Sequence, residues 1–268
     1  MPGIKFGFIG AGNMGGALAT AVAKSVTGDQ IIVADKSEIR AKSISRSINC
    51  DTGDNRTVAE NARFIFLGIK PQMIDEVLEE IKSTLVNRKD RFVIITMAAG
   101  IEIGRIESIL GGRYPIIRIM PNTPVCTGEG MILYTCNENV FMDEISEFCE
   151  ALKFAGKLDR IDEKYIDAAS AVSGCGPAFV YLFAEAMADG AVECGITRAK
   201  AIEYAAQTLL GAAKLLLNSG KHPAQLKDEV CSPGGSTIAG VHALEEAAFR
   251  GAVMDAVISS FKKTKELG

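Results

Sequence analysis

The hexapeptide Gly10-Ala11-Gly12-Asn13-Met14-Gly15 constrains this chain more than any other feature, because of what flanks it. It follows the apolar run Lys5-Phe6-Gly7-Phe8-Ile9 and leads into the Ala-rich, helix-like stretch 17–24. A G-x-G-x-x-G placed between a strand and a helix marks the first turn of a dinucleotide-binding βαβ unit. Each glycine has a task there: a tight turn, close approach of backbone to a pyrophosphate, and close packing of helix on strand. The helix N-terminus adds its partial positive charge. A glycine-rich turn with no ligand is the plain alternative, and the flanking strand and helix argue against it.

The rest of the chain reads as two halves. Short β-branched runs at 4–9, 31–34, 64–68, 92–97 and 116–120 alternate with helix-like segments, the rhythm of an α/β protein with a mostly parallel sheet and crossover helices. Strand-like runs stop after Lys164, and 164–194, 197–217, 222–230 and 236–265 all read as helix. These halves place a dinucleotide-binding domain at 1–162 and a helical domain at 163–268. Thr197 suits an N-cap, and Asn218-Ser219-Gly220 a helix stop. Ile202, Ala205, Ala206, Leu209, Ala213, Leu216 and Leu217 give one of these helices an apolar face too wide for burial on one side. The excess apolar surface predicts a homodimer formed through this half.

Composition narrows the function. A net charge of -4 gives no basic field, so nucleic acid is not an expected partner. No apolar run reads as long enough to cross a bilayer, and Met1-Pro2-Gly3-Ile4-Lys5 enters a strand without a signal-like segment, so the expectation is a cytoplasmic protein. The seven cysteines are scattered and contain no C-x-x-C pair; they read as reduced thiols, with neither a disulfide framework nor a metal site.

Two further segments carry chemistry. Asp35, about 20 residues past the glycine loop, sits where an adenosine ribose is read. Its carboxylate suits the ribose hydroxyls of NAD, whereas Lys36, Ser37 and Arg40 suit a 2′-phosphate; solvated charges at a helix N-terminus are the alternative for those three. Near the C-terminus, Ser232-Pro233-Gly234-Gly235-Ser236-Thr237-Ile238 opens a helix. Pro233 fixes φ, and the paired glycines let backbone amides approach an anion beside the helix dipole. The Ser236 and Thr237 hydroxyls can donate or accept. A capped Pro-Gly-Gly turn is the plain reading of the same residues.

With Asp54-Asn55, Phe66 to Gln72, Ala98 to Ile101, Arg118 to Pro124 and Ser173 to Ala178, these segments occur in the order seen in pyrroline-5-carboxylate reductases, which the chain resembles over nearly its whole length. The resemblance implies NADPH- or NADH-dependent reduction of the cyclic imine of 1-pyrroline-5-carboxylate to L-proline. It also implies a Rossmann domain followed by a helical dimerisation domain, with further assembly of dimers left open. By matching motif, Gly10, Ala11, Gly12, Asn13, Met14 and Gly15 would hold the pyrophosphate, Asp35 and Lys36 the ribose end, and Asn55, Ile69, Lys70 and Ala98 the rest of the cofactor. Ser232, Gly234, Gly235, Ser236 and Thr237 would clamp the substrate: backbone amides on its carboxylate, the Thr237 hydroxyl as the catalytic group reaching the imine nitrogen. Glu229 departs from the pattern, standing where some members carry asparagine, and a carboxylate there would face an anionic substrate.

The residues fit that chemistry without the family. Hydride addition to an electrophilic iminium needs positioning, an anchored carboxylate and one proton, and little acid–base apparatus. His222, in a His-Pro loop, and His242, within a helix, read as structural or surface residues. Asn122, between two prolines, suits either a ligand contact or a turn. Gly174-Cys175-Gly176-Pro177 would kink or start a helix at the domain junction. A β-hydroxyacid dehydrogenase would also join a Rossmann and a helical domain, but it needs a lysine on the first interdomain helix, and none occurs from Tyr165 through Ala199. A non-catalytic redox sensor would need the nucleotide loop and no substrate clamp.

Overall fold

The computed structural model describes residues 3–266, which divide into two compact units: the chain through Cys175 together with the residues from Ser260 onward, and Gly176–Ser259. The first unit is a Rossmann-type α/β layer structure. Its sheet holds β1 (Phe6–Ile9), β2 (Ile31–Ala34), β3 (Asp51–Thr52), β4 (Phe64–Leu67), β5 (Val93–Thr96), β6 (Ile116–Met120), β7 (Gly130–Cys136) and β8 (Gly156–Arg160) in the order β3-β2-β1-β4-β5-β6-β7-β8. The strands from β3 to β6 run parallel. β7 runs antiparallel to β6, and β8 pairs parallel with β7.

Alternation within each strand sends side chains to two cores. Phe6, Phe8, Phe64 and Phe66 meet Leu18 and Val22 of α1 (Asn13–Val22) on one face, with the Phe8 and Phe66 rings stacked at 4.5 Å. α2 (Glu38–Ile48) lends Ala41 to that face. Ile9, Ile65 and Leu67 meet α3 (Asn55–Asn61), α4 (Ile74–Asn87) and α5 (Ile103–Leu110) on the other. Strands buried on both faces read as continuous apolar runs, which is why β1, β2, β4, β5 and β6 were legible.

β3, β7 and β8 are absent from the sequence expectation; β3 is two exposed residues with no apolar run to announce it. Met131-Ile132-Leu133-Tyr134 in β7 is a strand-like apolar run, whereas Gly-Lys-Leu-Asp-Arg in β8 is a polar edge strand with mostly exposed residues, indistinguishable locally from a loop. α6 (Met142–Leu152) connects them and packs Phe148 and Leu152 into the first core.

α7 (Glu163–Ser173) begins where the sequence places the domain boundary, yet its contacts belong to the sheet unit. Ile166 is fully buried with Met120 and Leu133, and Asp167 meets Arg118 of β6. By packing, the division falls at 175/176. Residues 163–193 are long and apolar enough to cross a membrane by length and composition, contrary to the sequence expectation, but the helix is interrupted at Gly174-Cys175.

The second unit holds α8 (Gly176–Glu193), α9 (Arg198–Ser219), α10 (Pro223–Val230), α11 (Ser236–Glu246) and most of α12 (Phe249–Lys265). Thr197 occupies the N-cap of α9 with no side-chain cap bond, and Gly220 ends it in the left-handed region at φ 65. α8 and α9 pack through Ala188, Ala201 and Ala205, the buried apolar residues of this unit. Leu182, Ile202, Leu217 and Met254 are exposed in the single chain, at 53–78% of their surface. The expected helix 236–265 is instead two: Ala248 adopts φ 53 between α11 and α12, a break that no glycine, proline or asparagine announces.

Candidate active site

The strand order reverses between β1 and β4, so the crevice beyond their C-terminal ends is where an open α/β sheet takes a ligand. The glycine loop fills one wall. Gly10 has φ 99 and lies against Gly68, which follows β4; a Cβ on Gly15 would overlap the Gly10 carbonyl oxygen. Gly12 is different: it is the N-cap of α1, and a Cβ there would meet nothing within 4 Å. The loop is thus closed around Gly10 and Gly15 and open over Gly12. α1 begins without a capping side chain and without an acid in its first turn, which leaves its first amides suited to an anion. Gly12, Asn13, Met14, Ile69 and Lys70 line this crevice with Arg40 and Met97. These features fit a dinucleotide's pyrophosphate.

The other expected cofactor residues are placed less directly. Asn55 opens α3 and donates to Glu80 Oε2 at 2.7 Å, while Asp54 caps that helix by accepting from the Thr57 amide at 2.7 Å. Ala98 is buried, so it offers backbone only. Lys36 is exposed just past β2, and Asp35 does not stand open to a ribose. The Asp35 carboxylate, 7% exposed, accepts from the Ala11 amide at 2.9 Å, the Ser37 amide at 2.8 Å, and Arg40 Nε and Nη2 at 3.1 and 3.0 Å.

In the second unit, Ser232 to Gly235 forms a turn closed by the Gly235 amide donating to the Ser232 carbonyl at 3.0 Å. Pro233 and Gly234 are its central residues, and Gly234 takes φ 69, the geometry of a type II turn. Gly235 then serves as an N-cap with no side chain, and no acid occupies the first turn of α11. Ser236 and Thr237 are exposed on that first turn. The sequence expected a hydroxyl cap as the plain reading; the glycine cap leaves the amides of Ser236, Thr237 and Ile238 to whatever anion approaches. Glu229, on α10, turns to Lys221 at 2.7 Å, so its charge is already paired.

Asn122 is committed to structure: its Nδ2 donates to the Ser173 carbonyl at 2.8 Å and its Oδ1 accepts from the Met131 amide at 2.9 Å. His222 caps α10 by accepting from the Ala224 amide, and His242 is exposed beside Glu246. All seven cysteines are free. Burial pushes the Cys50 thiol up to about 11, away from nucleophilic use. Among the described residues no cluster of His, Cys, Asp and Glu could hold a metal ion. Sequence reasoning missed Arg118, wholly buried with Nη2 2.6 Å from Asp167 Oδ1. A lone charge inside Ile-Ile-Arg-Ile-Met was the available signal.

Residues 163–267 match the family described as pyrroline-5-carboxylate reductase dimerisation, and residues 5–100 match NADP oxidoreductase coenzyme F420-dependent. Pyrroline-5-carboxylate reductase 3 of Danio rerio is 42% identical over 267 residues, covering 99% of this chain and 92% of the relative. The Escherichia coli pyrroline-5-carboxylate reductase is 39% identical over 266 residues, covering 98% of each chain. The crystal structure of Plasmodium falciparum pyrroline carboxylate reductase with NADP bound superimposes with a TM-score of 0.89 at 33% identity, covering 100% of this chain and 99% of that one.

Proposed function

Because the chain belongs to the pyrroline-5-carboxylate reductase family, which reduces 1-pyrroline-5-carboxylate to L-proline with NAD(P)H, we propose how its own residues divide that work. Residues 1–162 hold the cofactor. The amides around Gly12 and the first turn of α1 take the pyrophosphate, with Asn13, Met14, Ile69 and Lys70 lining the remainder. When bound, NAD(P)H supplies the hydride that reduces the ring C=N bond.

Residues 163–268 take the substrate and form a homodimer, whose interface covers the apolar faces of α8 and α9. The first-turn amides of α11, with the Ser232 to Gly235 turn, hold the substrate carboxylate. Thr237 orients the ring nitrogen through its hydroxyl, so that the proton stays on the nitrogen as the carbon accepts the electron pair. No histidine or lysine base is required, because the protonated imine is electrophilic before it binds. Reduced cysteines fit a cytoplasmic setting.

The observation carrying this reading is the α11 N-terminus, opened by two glycines and free of both capping side chain and first-turn acid. Purified full-length chain given 1-pyrroline-5-carboxylate should oxidise NADPH or NADH and form proline in equal amounts. Cofactor oxidation with a hydroxyacid's keto partner and none with the imine would favour a hydroxyacid dehydrogenase instead.

A further inference from the structure

The loop between β5 and α5 is held at its far end by a residue from another helix. Met97, directly after β5, lines the glycine-loop crevice, as do Met120, the last residue of β6, and Pro121. The chain turns at Gly100, which takes φ 75, and enters α5 at Ile103. Glu102 stands at the N-cap of α5 but makes no cap bond, and no acid occupies the first turn. The Ile103 amide donates instead to Glu163 Oε1 at 2.8 Å, on the first residue of α7 and 60 positions along the chain. Helix caps are ordinarily local, set by the N-cap side chain itself. A remote cap ties two elements together, and departures from local preference of this kind gather at functional places.

The cap has its own support. Glu163 Oε1 also accepts from Arg118 Nη1 at 3.3 Å, and the wholly buried Arg118 lies in β6 two residues before Met120. Asp167, one turn along α7, takes Arg118 Nη2 at 2.6 Å. The Glu163 carboxylate therefore braces the start of α5 against β6, and Met97 and Met120 stand at the ends of the two strands so joined. Packing leaves room for movement here. A cavity of about 380 Å³ lies against the loop, lined by Gly100, Ile101 and Glu102 together with Gly104, Asp167 and Lys265.

Resting on the reading that the crevice holds the coenzyme for imine reduction, we propose that Glu163 is a positioning residue for hydride transfer. By capping α5 from α7 it fixes the loop over residues 97–102 against β6, and so keeps the crevice wall formed by Met97 and Met120 at the spacing the reaction requires. Glu163 acts through the loop and not on the reacting atoms.

Single-turnover oxidation of NADPH or NADH, whichever wild type oxidises faster, by 1-pyrroline-5-carboxylate reads the hydride step. It is followed by stopped flow on the full chain, well below the Tm of each variant. Misplacement by about 1 Å costs up to about a hundredfold, so Glu163→Ala should slow the step about ten- to a hundredfold. Coenzyme Kd from fluorescence titration and KM for the imine should stay within about threefold of wild type. Glu163→Gln keeps an acceptor oxygen for the Ile103 amide and should stay within about threefold of wild type in the hydride step; Glu163→Asp keeps the charge, loses reach and should be intermediate. On the coenzyme-free chain, hydrogen exchange over residues 98–104 should quicken about tenfold in Glu163→Ala and not in Glu163→Gln. A hydride step equal to wild type in Glu163→Ala, a parallel loss of coenzyme affinity, a loss in Glu163→Gln as large as in Glu163→Ala, or unchanged exchange over the loop would each overturn the proposal. Should Glu163→Ala not fold, Glu163→Asp decides: a hydride step as fast as wild type overturns the proposal, and a slower one at unchanged Kd supports it. A wild-type chain that oxidises neither coenzyme with the imine overturns the functional reading and this proposal together, whereas the variant outcomes overturn this proposal alone.

Discussion

Alanine at Gly15 and at Gly12 should both weaken cofactor binding but differ in their effect on stability, although both residues belong to one loop. At Gly15 the new Cβ overlaps the Gly10 carbonyl oxygen and lies 3.2 Å from its carbon and 3.7 Å from Gly68 Cα. All three are backbone atoms of the β1 and β4 ends, so no side chain can rotate away. The start of α1 must move by roughly 1 Å to restore van der Waals separation. Overpacking of this kind costs about 1–3 kcal/mol. In a folded unit of this size, each kcal/mol lowers Tm by about 2–4 °C, so Gly15→Ala should melt about 2–12 °C below wild type. The displaced amides should also weaken cofactor binding about tenfold or more.

At Gly12 the Cβ meets nothing within 4 Å, and φ of -70 is open to any residue. The loss of a glycine N-cap and the reduced freedom of the unfolded chain oppose each other, each below about 1 kcal/mol, so Tm should stay within about 4 °C. Binding should still fall about tenfold or more, because the methyl occupies the space through which a pyrophosphate reaches the amides. Differential scanning fluorimetry and cofactor titration on both variants give four readings. A Gly12→Ala protein that binds as wild type does, or a Gly15→Ala protein that melts with wild type, would refute this account of the loop.

Other expectations follow from residues described above. Thr237→Ala should lower kcat for imine reduction about ten- to a hundredfold, about 1.5–3 kcal/mol, with cofactor Kd unchanged; equal kcat/KM in steady-state assays would remove the hydroxyl from the mechanism. Arg118→Ala leaves Asp167 buried with Lys265 at 3.2 Å as its remaining cation, and denaturant unfolding should show a loss of about 3–5 kcal/mol. Asp54→Ala removes the α3 cap at a cost of about 1 kcal/mol at neutral pH. Hydrogen bonds from Thr57 hold the Asp54 carboxyl below its ordinary range, so the folded chain binds that proton less readily than the unfolded one. The cap's contribution is therefore complete above the ordinary carboxylate range and fades as pH falls through the lowered value, and the wild type and variant stability curves should converge in acid.

The glycine loop, the five buried strands β1, β2, β4, β5 and β6 and the Ser232 to Thr237 turn were legible because each depends on local chemistry: backbone freedom, β-branched runs, a proline before two glycines. What was hidden depends on partners distant in the chain. β8 is a strand because β7 lies beside it. α7 looks like its helical successors, yet Arg118 and Met120 draw it to the sheet. Asp35 offers the same carboxylate to a ribose or to an arginine, and only the placement of Ala11 and Arg40 decides which. The break at Ala248 holds an alanine in the left-handed region, a conformation that local preference opposes.

The sparse interior of the helical unit has a consequence for the working enzyme. Ala188, Ala201 and Ala205 bury little area, while Leu182 and Leu217 wait uncovered in the single chain. Such a unit draws much of its free energy from the second copy, so its stability rises with protein concentration as mass action requires. The sheet unit, with two full cores, has no such dependence. On dilution the Ser232 to Gly235 turn before α11 should loosen while the glycine-loop crevice stays folded, leaving a chain that still binds coenzyme and has lost the surface proposed for the substrate. Specific activity would then fall with dilution well before cofactor binding does.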